Sequence, residues 1–474
     1  MVFSSLDFLF VFLPVFLVVY AVGGRAANAI LLAASLVFYA TGEGVFLAVL
    51  LVSIALNAGI GRQIAGSEGQ ARTRWLGLGL ALNLGLLGWF KYAGFLTTDV
   101  FGFDPESGIG AGAAAIHLPL GISFFTFQAI SYLVDIHRGT VAAERSTLRL
   151  GTYIAMFPQL IAGPIVRFES VAKALHARSV DLRHLYYGLA FFATGLAMKV
   201  LIADGVAPIA DAVFAENPAQ LRADTALLGT LAYTAQIYFD FAGYSSMAIG
   251  LGLVLGFRFP QNFDFPYVAR SVTEFWRRWH MSLSSWFRDY LYIPLGGNRH
   301  GAWRTYRNLA IVFLATGLWH GAAWTFVLWG AFHGAFLILE RIGLGRLLER
   351  APAGLAHGVT LVVVMAGWVL FRAEDLGHAG GVYAAFLRLD GPVVPAAHLS
   401  TEGAMTLFAA AAFAGPWIGR GIAGAVALPR YGPWPEPLRP GPVAMGLVLW
   451  IALIALSSAK LLAGSYSPFI YFRF

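Results

Sequence analysis

The chain has 474 residues, 58% of them hydrophobic and only 12% charged, with a mean hydropathy of +0.69. Soluble domains carry about 25% charged residues, so a water-soluble globular protein is excluded, and the lack of cysteine removes disulfide scaffolds, thiolate metal sites and cysteine nucleophiles. A net charge of +7 would suggest nucleic acid in a soluble protein, but in a membrane protein it follows from Lys/Arg-rich cytoplasmic loops, and no nucleic-acid partner is expected.

Apolar windows of roughly the 20 residues that cross about 30 Å of hydrocarbon start at once. The first, 7 to 23, has no Lys or Arg before Arg25 and lacks the basic flank of a cleavable signal, so it is expected to remain as a span. Windows at 27 to 42, 44 to 61 and 75 to 97 follow. The 62 to 74 loop holds Arg62, Arg72 and Arg74 against Glu68 and is assigned to the cytoplasm. The 98 to 116 loop holds Asp99, Asp104 and Glu106 with no base and is assigned outside. Lys91 is read as close enough to a span end for its ammonium to snorkel.

The window at 117 to 136 is followed by one at 150 to 166 that contains Pro158, Gly163 and Pro164, which break helices and free backbone groups. It reads as a re-entrant or broken element. After the window at 184 to 203, the 204 to 224 loop carries Asp204, Asp211, Glu216 and Asp224 against Arg222 and is placed outside. The window at 225 to 256 carries Gln236, Asp240 and Tyr244, spaced by four and so on one helix face directed inward. An aspartate in a span costs about 2.5 to 3.5 kcal/mol; the plain alternative to a functional role is an Asp satisfied by an arginine or by hydroxyls.

The 257 to 307 segment, with eight arginines and three acids, is expected at the cytoplasmic face. Within it, Glu274 to Trp286 is predicted as one helix, with Ser271 and Glu274 spaced for a capping box. Phe275, Trp279, Leu283, Trp286 and Tyr290 form its apolar stripe, and His280 lies off that stripe between Trp276 and Ser284. A Trp- and Arg-rich helix lying in the membrane interface would read the same way. The window at 308 to 339 is too long for one span, carries Gly317, Gly321, Gly330 and Gly334, and is predicted to be broken.

Inside this window, His320 stands in Gly317-Leu-Trp-His320-Gly-Ala-Ala-Trp324 with no charged residue between Arg307 and Glu340. The flanking glycines leave room for close approach to the ring, and a neutral imidazole kept from water suits a general base. A core histidine bonded to a hydroxyl or carbonyl is the structural alternative. His320 and His333 are 13 apart, on different helix faces, and no metal site is expected. Windows at 354 to 371, 403 to 423 and 442 to 463 complete the chain, with a Pro-rich connector from Pro429 to Pro442. This alternation places both termini outside.

The run of motifs resembles the membrane-bound O-acyltransferase family, in its bacterial alginate O-acetyltransferase branch. The resemblance rests on Met1-Val-Phe-Ser-Ser, Gly121-Ile-Ser-Phe-Phe-Thr-Phe-Gln128, Phe157-Pro-Gln-Leu-Ile-Ala-Gly-Pro164, Gln236-Ile-Tyr-Phe-Asp-Phe-Ala-Gly-Tyr244, Phe275-Trp-Arg-Arg-Trp-His280, Gly317-Leu-Trp-His-Gly321 and Pro468-Phe-Ile-Tyr-Phe-Arg-Phe474. It implies an all-α polytopic membrane protein, a bowl of about 10 to 12 transmembrane helices with re-entrant and interfacial helices around a tunnel. A single domain over 1–474 is expected, with N-terminal helices in 1–116, a catalytic core in 117–340 and C-terminal helices in 341–474.

The resemblance also implies an enzyme of the bacterial inner membrane that takes an acetyl group from cytoplasmic acetyl-CoA. An extracytoplasmic SGNH-type partner would pass it to a polysaccharide such as alginate. The family's invariant histidine maps onto His320 and its second polar residue onto His280, with Asp240, Gln236, Tyr244, Trp319 and Trp276 as supporting residues. His320 would remove the hydroxyl proton, and donors including His280 would meet the oxyanion. The Pro468 to Phe474 run is read as a docking element, or else as an aromatic belt at the interface. Transfer of D-alanine to teichoic acid, an ion-coupled transporter built around Asp240, and a scaffold without chemistry are the competing readings.

Overall fold

The computed structural model describes residues 2–390, 400–418, 440–464 and 469–470, and its regular elements are all helical. Among these residues, seven helical runs are long and apolar enough to cross a bilayer: Gly24–Ala65, Gly69–Val100, Leu182–Ala215, Ala223–Val254, Trp324–Arg350, Ala353–Arg372 and Pro440–Leu462. The chain is thus an all-α polytopic membrane protein. The twelve apolar windows exceed these runs for physical reasons. Two windows merge in Gly24–Ala65, Phe8–Val22 is shorter, and Ile122–Arg138 carries Gln128, Asp135 and Arg138 and is buried in protein rather than apolar throughout. The Pro-rich connector lies outside the described residues up to position 439.

The chain packs as two compact units, Met1–Phe192 with Met247–Pro260, and Ala193–Ser246 with Gln261–Phe474. In the first, the window at 150 to 166 is broken as its prolines predict. The Thr147–Ala155 helix stops at an extended Met156, and one turn, Phe157–Leu160, is followed by buried non-helical chain. Side chains take over the freed backbone groups: the Phe157 N–H donates to Ser35 Oγ at 3.0 Å and the Tyr153 hydroxyl to the Val166 carbonyl at 2.9 Å. Irregular chain at membrane depth survives only with such partners. The Lys91 Nζ lies 3.5 Å from Ser123 Oγ.

In the second unit, the window at 308 to 339 is a helical hairpin, Ala302–His320 and Trp324–Leu339, broken at Gly321–Ala323 where the backbone turns extended. Only Gly321, of the four glycines, sits at the break. Gly317 and Gly330 lie where the two helices touch: a Cβ on Gly317 would stand 2.3 Å from the Phe326 carbonyl oxygen, and one on Gly330 2.3 Å from that of Phe313. Small residues that let backbones meet are the usual basis of helix packing in membranes. The hairpin carries His320 at its tip, as the last residue of the first helix.

Candidate active site

The Ala223–Val254 helix is buried on nearly all sides, so its polar residues needed internal partners. Gly243 permits close packing, since a Cβ there would fall 2.7 Å from the Gly195 carbonyl oxygen and 3.1 Å from the Lys199 nitrogen. That approach sets Lys199, on a π-helical stretch Met198–Ala203, between two carboxylates. Its ammonium is 2.5 Å from Asp204 Oδ1 and 2.8 Å from Asp240 Oδ1. Asp240 Oδ2 accepts the Ile470 N–H at 2.8 Å.

Asp240 is therefore held by a lysine and a backbone amide, not by the arginine or hydroxyls expected. Asp204, assigned to an outer loop, is buried in the Asp204–Ala215 helix, and Asp211 pairs with Arg372 at 3.0 Å. Of the four acids behind the outward assignment of 204 to 224, Asp204 is thus a buried internal partner, while Asp211 keeps about 35% of its side chain exposed. Gln236 and Tyr244 are buried too, Tyr244 against Phe469 with ring centroids 4.8 Å apart.

The single helix predicted across His280 does not form. Val272–Arg278 ends at an extended Trp279, His280 takes the left-handed conformation (φ 43°, ψ 54°), and Met281–Phe287 begins anew. A non-glycine residue in this region costs roughly 1–3 kcal/mol and persists only when its surroundings over-determine it. Here a strand-like segment does so: the Asp264 N–H donates to the Arg278 carbonyl and the Met281 N–H to the Asn262 carbonyl, both at 2.9 Å. The first helix is pinned at its start as well. Ser271 Oγ accepts the Glu274 N–H at 3.0 Å, while Glu274 reaches back to the Arg270 N–H at 2.9 Å, one residue before the position a capping box would use. Glu340 accepts the Val272 and Thr273 N–H groups at 2.6 and 2.9 Å.

The kink turns the His280 ring inward. It is fully buried (0% exposed), His320 nearly so (5%), and their ring centroids are 6.5 Å apart. His280 Nδ1 lies 3.0 Å from Asn262 Oδ1, and burial pushes its pKa down to about 3, which keeps the ring neutral. The His320 ring is walled by Trp319, Trp329 and Phe371 with centroids at 4.9, 5.0 and 5.2 Å. Trp319 also touches His280, at 5.9 Å.

The structure thus brings together His280, His320 and Trp319. Trp276 stands one step back, 5.7 Å from Trp329, with its indole N–H donating to His333 Nδ1 at 3.4 Å. Asp240 bonds to Lys199 and Ile470, and the ring of its neighbour Phe241 is 4.7 Å from that of His280. Three residues escaped the sequence reading. Lys199 closes an apolar window and carries no motif, Asn262 sits in an unremarkable loop, and Trp329 is one of 13 tryptophans. Trp329 is fully buried with an indole N–H that has no partner among the described residues, unusual for a group that normally finds one.

Of the C-terminal run, Phe469 and Ile470 are described, and both are buried against the Ala223–Val254 helix. Its remaining five residues lie outside the described residues.

A family model for membrane-bound O-acyltransferases matches residues 145–351, a range that includes Asn262, His280 and His320. The probable alginate O-acetylase of Azotobacter vinelandii is 47% identical over 389 residues, 81% of this chain and 78% of that protein. Its counterpart in Pseudomonas putida is 42% identical across 100% of both chains. The peptidoglycan O-acetyltransferase of Helicobacter pylori is 37% identical over 85% of this chain and 82% of its own.

Proposed function

The chain belongs to the membrane-bound O-acyltransferase family, in its alginate O-acetylase branch, and from that premise we propose that it is an acetyltransferase of the bacterial inner membrane. Its donor is acetyl-CoA on the cytoplasmic side, its final acceptor an extracytoplasmic polysaccharide such as alginate, and an outer SGNH-type protein carries the acetyl group between them. Both termini face outward in this reading. The observation that carries the chemistry is the pair of buried imidazoles 6.5 Å apart, enclosed by indole and phenyl rings.

His320 takes the proton of the attacking hydroxyl, and the oxygen forms a bond to the thioester carbonyl carbon. The tetrahedral oxyanion collapses with cleavage of the C–S bond, and the thiolate recovers the proton from the imidazolium, giving free coenzyme A and an ester. No acyl-histidine is needed. Two local features support these roles. The partial negative charge at a helix C-terminus suits an imidazolium formed there, and His320 ends its helix. The buried indole N–H of Trp329, with no partner among the described residues, supplies a preorganised donor for the oxyanion.

The test is incubation of the purified protein with radiolabelled acetyl-CoA, with and without the outer proteins encoded beside it. Label should pass to acceptor in the wild type, and His320→Ala should abolish transfer while eluting from size exclusion as wild type does. Substantial transfer by that variant would remove the assignment.

A further inference from the structure

Among the described residues the His280 ring bonds to one polar side chain, Asn262, and that neighbour decides what the ring can do. Asn262 is buried, and its Oδ1 receives the Ser282 backbone N–H at 3.2 Å and the Ser282 hydroxyl at 2.8 Å, besides facing His280 Nδ1 at 3.0 Å. Its Nδ2 donates to Ser245 Oγ at 2.9 Å. A backbone N–H is only ever a donor, so the atom that accepts it is the amide oxygen, and the orientation of the Asn262 side chain is fixed without reference to the histidine. An oxygen facing Nδ1 requires the proton to sit on Nδ1. A neutral imidazole with Nδ1 protonated carries a lone pair on Nε2. That Nε2 is buried and has no hydrogen-bond partner among the described residues.

We infer that Asn262 is a positioning residue that locks His280 in the Nδ1–H tautomer, so that His280 meets the reactants as a hydrogen-bond acceptor. Its partner is an O–H or N–H of a substrate and not the oxyanion, for which a bare lone pair would be repulsive. The same asparagine holds the left-handed turn, through the Met281 N–H that its carbonyl accepts, so ring orientation and tautomer have one origin. This replaces the donor role expected from sequence and leaves the oxyanion to N–H groups such as that of Trp329. The inference rests on the proposed acyl transfer for its consequence in rate, but not for the tautomer itself.

The tautomer is read directly by 15N NMR of histidine-labelled protein in detergent, with the His280 signals identified by their loss in His280→Asn. Nδ1 should carry the proton and Nε2 should not; a proton on Nε2 overturns the proposal, whether or not acetyl-CoA proves to be the donor. Asn262→Leu should mix the tautomers and lower kcat on the order of 10²-fold, as misplacement of a reacting group does, with little change in KM for acetyl-CoA. Asn262→Asp keeps an oxygen facing Nδ1 and should restore most of the rate. A merely structural asparagine would instead lower the yield of folded protein, leave the tautomer of the folded fraction unchanged, and not distinguish Leu from Asp in kcat. Absence of acetyl transfer by the wild type, with the tautomer as stated, would count against the acyl-transfer reading alone.

Discussion

Trp329 and Lys199 show the two ways a buried polar group is tolerated at this depth. The first is an indole N–H that has no partner among the described residues and lies beside the candidate base. Trp329→Phe removes the donor and also shrinks a fully buried indole to a phenyl, so kcat of the folded protein should fall about 10² to 10³-fold, the range for loss of one oxyanion donor, beside a lowered melting temperature from the space left behind; single-turnover kinetics separates the loss of rate from the loss of folded protein. Lys199 is the opposite case, a charge compensated by two carboxylates. Lys199→Met leaves Asp204 and Asp240 buried without their cation and should cost about 3–5 kcal/mol, whereas Asp204→Asn, which keeps the Lys199–Asp240 pair, should cost much less; thermal unfolding in detergent measures both. At this scale His320 was legible because an imidazole in an uncharged window has few reasons to be there. Asn262 was not, since a loop asparagine has many, and its importance lies in partners up to 20 positions away.

The elements were legible where the sequence carries breakers. Pro158 and Gly163 announce the interrupted window, and the length of 308 to 339 announces a hairpin. The break at His280 has no such signal: its helical stripe of Phe275, Trp279 and Leu283 is intact, and tertiary hydrogen bonds from Asn262 and Asp264 override it. The hairpin glycines divide along the same line, since Gly321 breaks the chain and Gly317 packs it. Gly317→Ala would drive a methyl into the Phe326 carbonyl oxygen, a backbone atom that cannot step aside. It should destabilise the protein by about 1–3 kcal/mol or more and displace His320, three residues on. Gly59, in the Leu47–Ala65 helix, has open space where its Cβ would be, so Gly59→Ala should be neutral or stabilise by up to about 1 kcal/mol. Melting temperatures of the two variants should move in opposite directions or by clearly unequal amounts.

For the whole molecule, composition and windows were enough to give a polytopic membrane protein, because the length of apolar runs is dictated by the bilayer itself, and the family resemblance supplied the all-helical class. The role of the chain's last residues was not, because nothing in Phe469-Ile-Tyr-Phe says whether an aromatic run faces lipid, partner or core. Phe469 fills space against Tyr244 and Phe241, and the Ile470 amide satisfies Asp240, so the end of the chain completes the surroundings of a charge carried more than 200 residues earlier. A hydrogen bond to a charged group contributes about 1.5–3 kcal/mol. Removal of residues 469–474 should therefore lower the melting temperature of the isolated protein, and its acetyl transfer, with no partner present. Ile470→Pro, which lacks the N–H, should reproduce most of that loss, and Ile470→Ala, which keeps it, much less. Equal melting of the truncated and full chains would mean that the contact carries no energy; loss of partner co-purification on truncation has meaning only after this comparison.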